Sequence, residues 1–249
     1  MPIRTDINDR IAEIVFDHPP VNAFDSEIWN SLPAIIQAAG SNPDIHVVLI
    51  RAEGRGFCGG VDIKEMQAHP DRITLLNRGN YLTFKAVREC EVPVVTAVHK
   101  FVIGGGIGIC GASDTIIASD DAYFSLPEID RGAMGGASHL SRMLPLHKVR
   151  AAFFTGGNIS AQEAHRLGAI EKIVPRDALL DEARAFAGII ASKSRKALVL
   201  AKEALNGLEP RDVDHGYRFE QGFTLEMYMH EDSQRARDAF VETGKTAKF

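Results

Sequence analysis

Phe101-Val-Ile-Gly-Gly-Gly-Ile-Gly-Ile-Cys-Gly-Ala-Ser-Asp114 is the stretch on which the reading of the fold turns. It follows a β-branched run, Val92-Pro-Val-Val-Thr-Ala-Val98, and carries three adjacent glycines, Gly104, Gly105 and Gly106. Adjacent glycines forfeit chain entropy and side-chain packing. A chain that sets them between a strand and a helix needs bare backbone there. The gain is a set of amide N–H groups at a helix start, where negative charge on oxygen can dock. Two ligands compete for that role. Gly106, Gly108 and Gly111 spell G-x-G-x-x-G, which in a dinucleotide-binding unit calls for an acidic residue about 20 residues on, at the tip of the next strand. The next strand is Thr115 to Ser119, and its acidic tip, Asp120, follows too closely for a helix to intervene. The other reading makes the glycines half of an oxyanion hole, which requires a second backbone N–H and a positioned acid or base.

Working outward, the pattern strand, glycine-rich turn, helix repeats. Ile11 to Phe16 reads as a strand, and Asp25 or Ser26 caps a helix with Ile28, Leu32, Ile35 and Ile36 on one face. Pro33 predicts a kink or a shortened helix. Ile45 to Ile50 is a buried strand, followed by Gly54, Gly56, Gly59 and Gly60 and a helix-like VDIKEMQ. Residues 67 to 74 are polar, carry Pro70 and read as a surface loop. A helix is expected from Leu75 to Cys90, then the strand before the triple glycine, then short strands at Thr115 to Ser119 and Ala122 to Phe124. Ser160-Ala-Gln-Glu163 is a capping box, and Glu171 to Val174 reads as the last strand. Beyond it come four helical stretches, Asp177 to Ser192, Ser194 to Asn206, Pro210 to Met229 and Glu231 to Glu242. The expectation is an α/β body over residues 1–195 and a helical region over 196–249.

The 249 residues are 45% hydrophobic and 24% charged, enough for a sizeable core in one or two domains. A net charge of −5 without basic runs argues against a nucleic-acid partner. Cys58, Cys90 and Cys110 show no C-x-x-C spacing and read as reduced thiols of a cytoplasmic protein. The N-terminus lacks a signal-peptide pattern, and no apolar run reaches the ~18 residues that span a membrane. No His, Cys, Asp and Glu cluster has metal-ligand spacing.

Phe57-Cys-Gly-Gly-Val-Asp-Ile-Lys-Glu-Met66 resembles the first oxyanion loop of the crotonase superfamily, the enoyl-CoA hydratase/isomerase family, which typically runs F-C/A-A-G-A-D-I-K-E-M. Gly104 to Gly106 matches that family's second hole, and Phe124-Ser-Leu-Pro-Glu-Ile129 with Gly132 resembles its F-G-x-P-E-x-x-x-G block. The early His18-Pro-Pro-Val-Asn-Ala23 loop and the helical C-terminus extend the likeness to nearly the whole chain. The resemblance implies a spiral of ββα turns with a C-terminal helical region that packs into trimers, often paired as hexamers. It implies a substrate whose acyl group is carried by coenzyme A, and no separate cofactor. It places the N–H groups of Val61 and Gly105 on a thioester carbonyl that becomes an enolate, with Gly60, Gly104 and Gly106 shaping the turns. Ala23 and Lys64 fall in loops that hold the carrier's nucleotide end. Asp62 stands beside an oxyanion donor and orders the loop. The family's C-terminal lysine for the carrier's phosphate falls on Thr243, with Lys245 nearby.

The acid and base positions carry the distinction. Two-carboxylate hydratases of the family place one glutamate two residues after the triple glycine, where this chain has Gly108, and the second in the Pro-Glu block, where it has Glu128. Other members place an aspartate eight or nine residues further on, where Gly136 and Ala137 stand. Glu128 is left as the expected base. Asp130 and Arg131 read as a surface ion pair or as pocket lining, and His139 as a packed residue or an assisting group. One glutamate with two N–H donors suits isomerisation of an enoyl-CoA, its hydration, or hydrolytic retro-Claisen opening of a cyclic β-keto acyl-CoA. A non-catalytic acyl-CoA binding protein is the reading from another class. Gly-Gly-Gly-Ile-Gly-Ile, Leu-Pro-Glu-Ile-Asp-Arg-Gly-Ala and Tyr217-Arg-Phe-Glu-Gln-Gly-Phe-Thr224 are similar to the crotonase-type ring hydrolases of bacterial steroid catabolism, which favours ring opening.

Overall fold

Near-continuous apolar runs such as Val47-Val-Leu-Ile50 bury both faces of the central strands, and the chain answers by sandwiching a sheet between two apolar layers. A computed structural model describes residues 2–210, 212–245 and 247. Met1, Arg211, Thr246, Lys248 and Phe249, which belong to the expected body and tail, lie outside the described residues. A hairpin, β1 (Ile3–Asn8) and β2 (Ile11–Phe16), starts the chain. Then come β3 (Ala23–Phe24) and α1 (Ser26–Ser41). The next turn of the spiral holds β4 (Val47–Ala52), β5 (Gly60–Val61), α2 (Ile63–Ala68) and α3 (Ile73–Arg88). A third holds β6 (Val94–Val98), β7 (Phe101–Ile103) and α4 (Gly105–Ala112). A fourth holds β8 (Thr115–Ser119), β9 (Tyr123–Ser125), a 3-10 turn at Pro127–Arg131, α5 (Ala137–Met143) and α6 (Leu146–Thr155). The body ends with β10 (Ile159–Ser160), α7 (Ala161–Arg166), β11 (Lys172–Val174) and α8 (Leu179–Ala191). The tail is α9 (Arg195–Leu208), α10 (Val213–Tyr228) and α11 (Glu231–Thr243).

Each turn sends its first strand into one large sheet, ordered β1-β2-β4-β6-β8-β11, parallel from β2 onward. Its second strand joins a smaller layer made of β3-β5 and β10-β9-β7. A bridge between Cys58 and Val102 links the two small sheets. On β4, Val48 and Ile50 face the main core between the layers, while Val47 and Leu49 meet Ala183, Ala187 and Ala191 of α8 on the outer face. Lys202 of α9 is buried, reaching Asp114 at 2.8 Å and the carbonyls of Val87 and Val92 at 3.2 Å each. This buried cation ties the tail to the strand that leads into the glycines.

Several sequence expectations are corrected. α1 runs unbroken through Pro33, which takes one N–H out of the helix interior without ending it. Residues 67 to 74 are not a loop: α2 extends to Ala68, a 3-10 turn spans Pro70–Arg72 and α3 begins at buried Ile73. β1 escaped notice because only Ile3 of its six residues is buried, leaving no apolar alternation. α10 begins at Val213 rather than Pro210, because Asp212 caps it by accepting the His215 N–H at 2.9 Å. On α10, Tyr228 turns inward to line a cavity, while Phe219 and Phe223 stay exposed with their ring centroids 5.2 Å apart.

Candidate active site

The loop before β5 is pinned against β7 by main-chain bonds. Phe57 N–H donates to His99, Cys58 N–H to Phe101, and Ile103 N–H back to Cys58 at 2.9 Å. This clamp carries Gly60-Val61 against Gly104-Gly105. Gly60 adopts φ 86°, and a Cβ there would stand 3.0 Å from the Ile103 oxygen and 3.6 Å from the Gly105 nitrogen. Asp62 N–H donates to Phe24 in the short ladder with β3. On the other side, Ile107 and Gly108 N–H groups are the first to find Gly104 as acceptor, so the Gly105 and Gly106 N–H groups belong to the unpaired first turn of α4. Trp29 packs directly behind Gly105, where a Cβ would lie 2.5 Å from its ring.

Glu128 sits in the 3-10 turn that follows β9. Its Oε1 lies against Gly104, where any side chain would collide with it, and its Oε2 is shut off from solvent with no hydrogen-bond partner. Burial raises its pKa to about 8. A hydrogen bond from its own main chain pulls the value down, the Glu220 charge pushes it up, and Arg131 opposes that. Glu220 itself is held by the start of α5, accepting the Ala137 N–H at 2.8 Å, the Ser138 N–H at 3.0 Å and the Ser138 hydroxyl at 2.9 Å.

One cavity brings Gly60, Val61, Gly104, Gly105 and Glu128 together. Gly106 stands behind it, packed on Cys58. Gly108 is buried, and a Cβ there would clash with Cζ of the Phe84 ring, so an aromatic ring occupies the space a side chain at 108 would need. Ala23 pairs with Gly60 across the short ladder. Asp62 caps α2 by accepting the Lys64 N–H at 2.9 Å, and Lys64 itself is exposed. Asp130 is not brought into the cavity and forms no ion pair with Arg131 among the described residues; its Oδ2 packs on Gly156. His139 is fully buried between Phe84 at 4.7 Å and Tyr217 at 4.9 Å, with neither ring nitrogen bonded. Burial drives its pKa down to about 3, and it lies behind the cavity wall. Thr243 closes α11 by donating to Ala239 and accepting from Lys245 N–H.

Tyr217, Thr224 and Tyr228 of α10 and Arg237 of α11 line the far wall, together with Arg131, which takes the pocket-lining place that was one of its two expected ones. Arg237 is 2% exposed in a helix whose charged sequence reads as solvated, so nothing local marks it as buried. The only available signal was the Tyr217–Thr224 wording. Among the described residues no group of three His, Cys, Asp or Glu side chains could hold a metal ion. No helix among them is long and apolar enough to cross a membrane.

A profile described as enoyl-CoA hydratase/isomerase matches residues 6–248. The chain belongs to that family. Two relatives, from Rhodococcus jostii and Mycobacterium tuberculosis, are named (7aS)-7a-methyl-1,5-dioxo-2,3,5,6,7,7a-hexahydro-1H-indene-carboxyl-CoA hydrolase. The first is 50% identical, covering 95% of this chain and 93% of its own. The second is 47% identical, covering 93% and 95%. A probable enoyl-CoA hydratase from Mycobacterium bovis is 31% identical over 94% of the chain and 93% of its own. An enoyl-CoA hydratase/isomerase from Xanthobacter autotrophicus has the same fold, with a TM-score of 0.90 over 98% of this chain and 94% of that one at 24% identity. The crotonase-family enzyme therefore has an α/β spiral with helices at its C-terminus, as the three sequence blocks implied.

Proposed function

We propose that this enzyme opens a ring of a cyclic β-keto acyl-CoA by hydrolysis, with Glu128 as its single base. The observation that carries the reading is the pairing of one buried carboxyl, Glu128, with the backbone amides of Val61 and Gly105 in one cavity, while the neighbouring position 108 is a glycine filled by Phe84. Family membership and the two indene-carboxyl-CoA hydrolases at about half identity support it.

In this reading the thioester carbonyl of the substrate accepts from Val61 and Gly105. Glu128 takes a proton from water as the water oxygen bonds to the ring ketone carbon. The bond from that carbon to the α-carbon breaks, and its electron pair passes to the thioester as an enolate. Glu128 returns the proton to the α-carbon, leaving a carboxylic acid and a saturated thioester α-position. Each amide aimed at developing charge is worth roughly 3–4 kcal/mol of barrier. Ala23 and Lys64 hold the nucleotide end of the carrier, Gly60, Gly104 and Gly106 keep the two turns close, and Asp62 fixes the loop by capping α2. Coenzyme A enters only as part of the substrate. Hydration by a carboxylate pair lacks its second member at 108, and isomerisation would make no use of a base able to activate water.

The body over 1–195 carries the chemistry and the helices over 196–249 close the cavity and assemble the protein as a homotrimer or hexamer in the cytoplasm. Exposed Phe219 and Phe223 and the three free cysteines support these last points. Glu128→Ala is expected to abolish hydrolysis of a dioxo-hexahydroindene-carboxyl-CoA, followed by mass spectrometry as gain of one water. It should leave binding of the CoA ester within about threefold by calorimetry. Undiminished hydrolysis in that variant would remove the mechanism.

A further inference from the structure

The proposed ring opening forms two oxyanions, and this inference rests on that reading. The enolate oxygen has the Val61 and Gly105 amides. The second oxyanion is the alkoxide on the ketone carbon once water has added to it, and the backbone hole does not serve that oxygen. Arg131 lines the same cavity three residues after Glu128. Its guanidinium carbon sits over the Phe240 ring, 3.7 Å from the ring centroid. Its Nε is buried with no hydrogen-bond partner, and no carboxylate pairs with it among the described residues. Asp130, the acid next to it in sequence, is turned onto Gly156. A buried N–H normally has an acceptor, so the open Nε of Arg131 in this cavity points to an oxygen acceptor that arrives with the substrate. Arg237, on the same wall, also has an unbonded Nε, but its terminal nitrogens are engaged, bonding Ser233 and, at 2.7 Å, Gln234 within its own helix.

We propose that Arg131 is a catalytic residue that donates to the oxygen of the attacked ring ketone, stabilising the tetrahedral alkoxide and then the carboxylic acid that replaces it, which loses its proton to solvent to become the product carboxylate. The donor acts after water has added and before the carbon–carbon bond breaks, and it moves no proton of its own. The product carboxylate remains bound to it until release.

The test compares wild-type enzyme with Arg131→Ala on dioxo-hexahydroindene-carboxyl-CoA. We expect kcat to fall by about 10²–10³-fold, the loss typical of one oxyanion donor, with KM changed less than about threefold. Added guanidinium ion should restore part of kcat, a response that loss of the Phe240 stack alone would not give. Phe240→Leu, which keeps the guanidinium, should retain kcat within about fivefold. The product acid should inhibit wild type more strongly than Arg131→Ala. A KM-only effect would assign Arg131 to the carrier's phosphates and overturn the proposal, as would an unchanged kcat or a loss that guanidinium does not rescue. Wild type that fails to hydrolyse the ketone would instead sink the ring-opening reading, and Arg131's role with it.

Discussion

At the scale of single residues, the proposed mechanism makes the proton on Glu128 set when the enzyme can work. A general base must be ionised, and burial holds this one near a pKa of about 8. The expected kcat/KM of the free enzyme therefore climbs about tenfold per pH unit below that value and levels off above it. A profile flat between pH 6 and 9 would mean that another group takes the proton. The same displacement acts on stability in the opposite sense. Between the ordinary 4.5 and about 8, folded Glu128 keeps a proton that the unfolded chain releases, so this residue weakens the fold as pH rises through that window. Glu128→Gln should raise the melting temperature at pH 8 more than at pH 4, by about 1–3 kcal/mol in stability, checked by thermal unfolding at both. The identity of Glu128 was legible from its Pro-Glu block, and so were the paired turns at Val61 and Gly105. Its isolation was not, because the groups around it come from Arg131 and from helices far along the chain.

At the scale of elements, the missing second carboxylate is a packing fact about α3 and α4. Phe84 on α3 fills the space beside Gly108 on α4, so the two positions must change together. Gly108→Glu alone overpacks the interface and should destabilise the fold by about 1–3 kcal/mol or more. Phe84→Ala leaves a void worth about 3–5 kcal/mol. The double variant should be more stable than the sum of the singles predicts by at least about 1 kcal/mol, measured by a urea double-mutant cycle. Strict additivity would mean that Phe84 is not the obstacle. Long helices such as α1, α3 and α8 could be read from their apolar period. The strands of the smaller layer could not, since β3, β5 and β10 are two residues each, too short to display alternation. They exist because tertiary pairing supplies what local sequence does not.

At the scale of the whole molecule, α10 and α11 fold back over the spiral and complete its cavity with Tyr217, Thr224, Tyr228 and Arg237. The opposite side of α10 leaves Phe219 at 70% and Phe223 at 44% exposure, an apolar face suited to another copy. Phe219→Asp with Phe223→Asp should shift the protein towards smaller species in sedimentation while changing kcat per chain by less than about threefold. Loss of activity in step with loss of assembly would show that the site depends on its neighbours. The role of the tail was only half legible in the sequence: its helices were clear from composition, but which face turned inward depended on Arg237 and Ser233 being buried, which charge patterning does not announce.

Closure of the cavity by the chain's own tail has a genetic reading. In the proposed mechanism every reacting group comes from one chain, so a copy disabled at Glu128 would dilute the activity of any mixed assembly in proportion to its share. It would not poison the copies beside it, and the defect would behave as recessive.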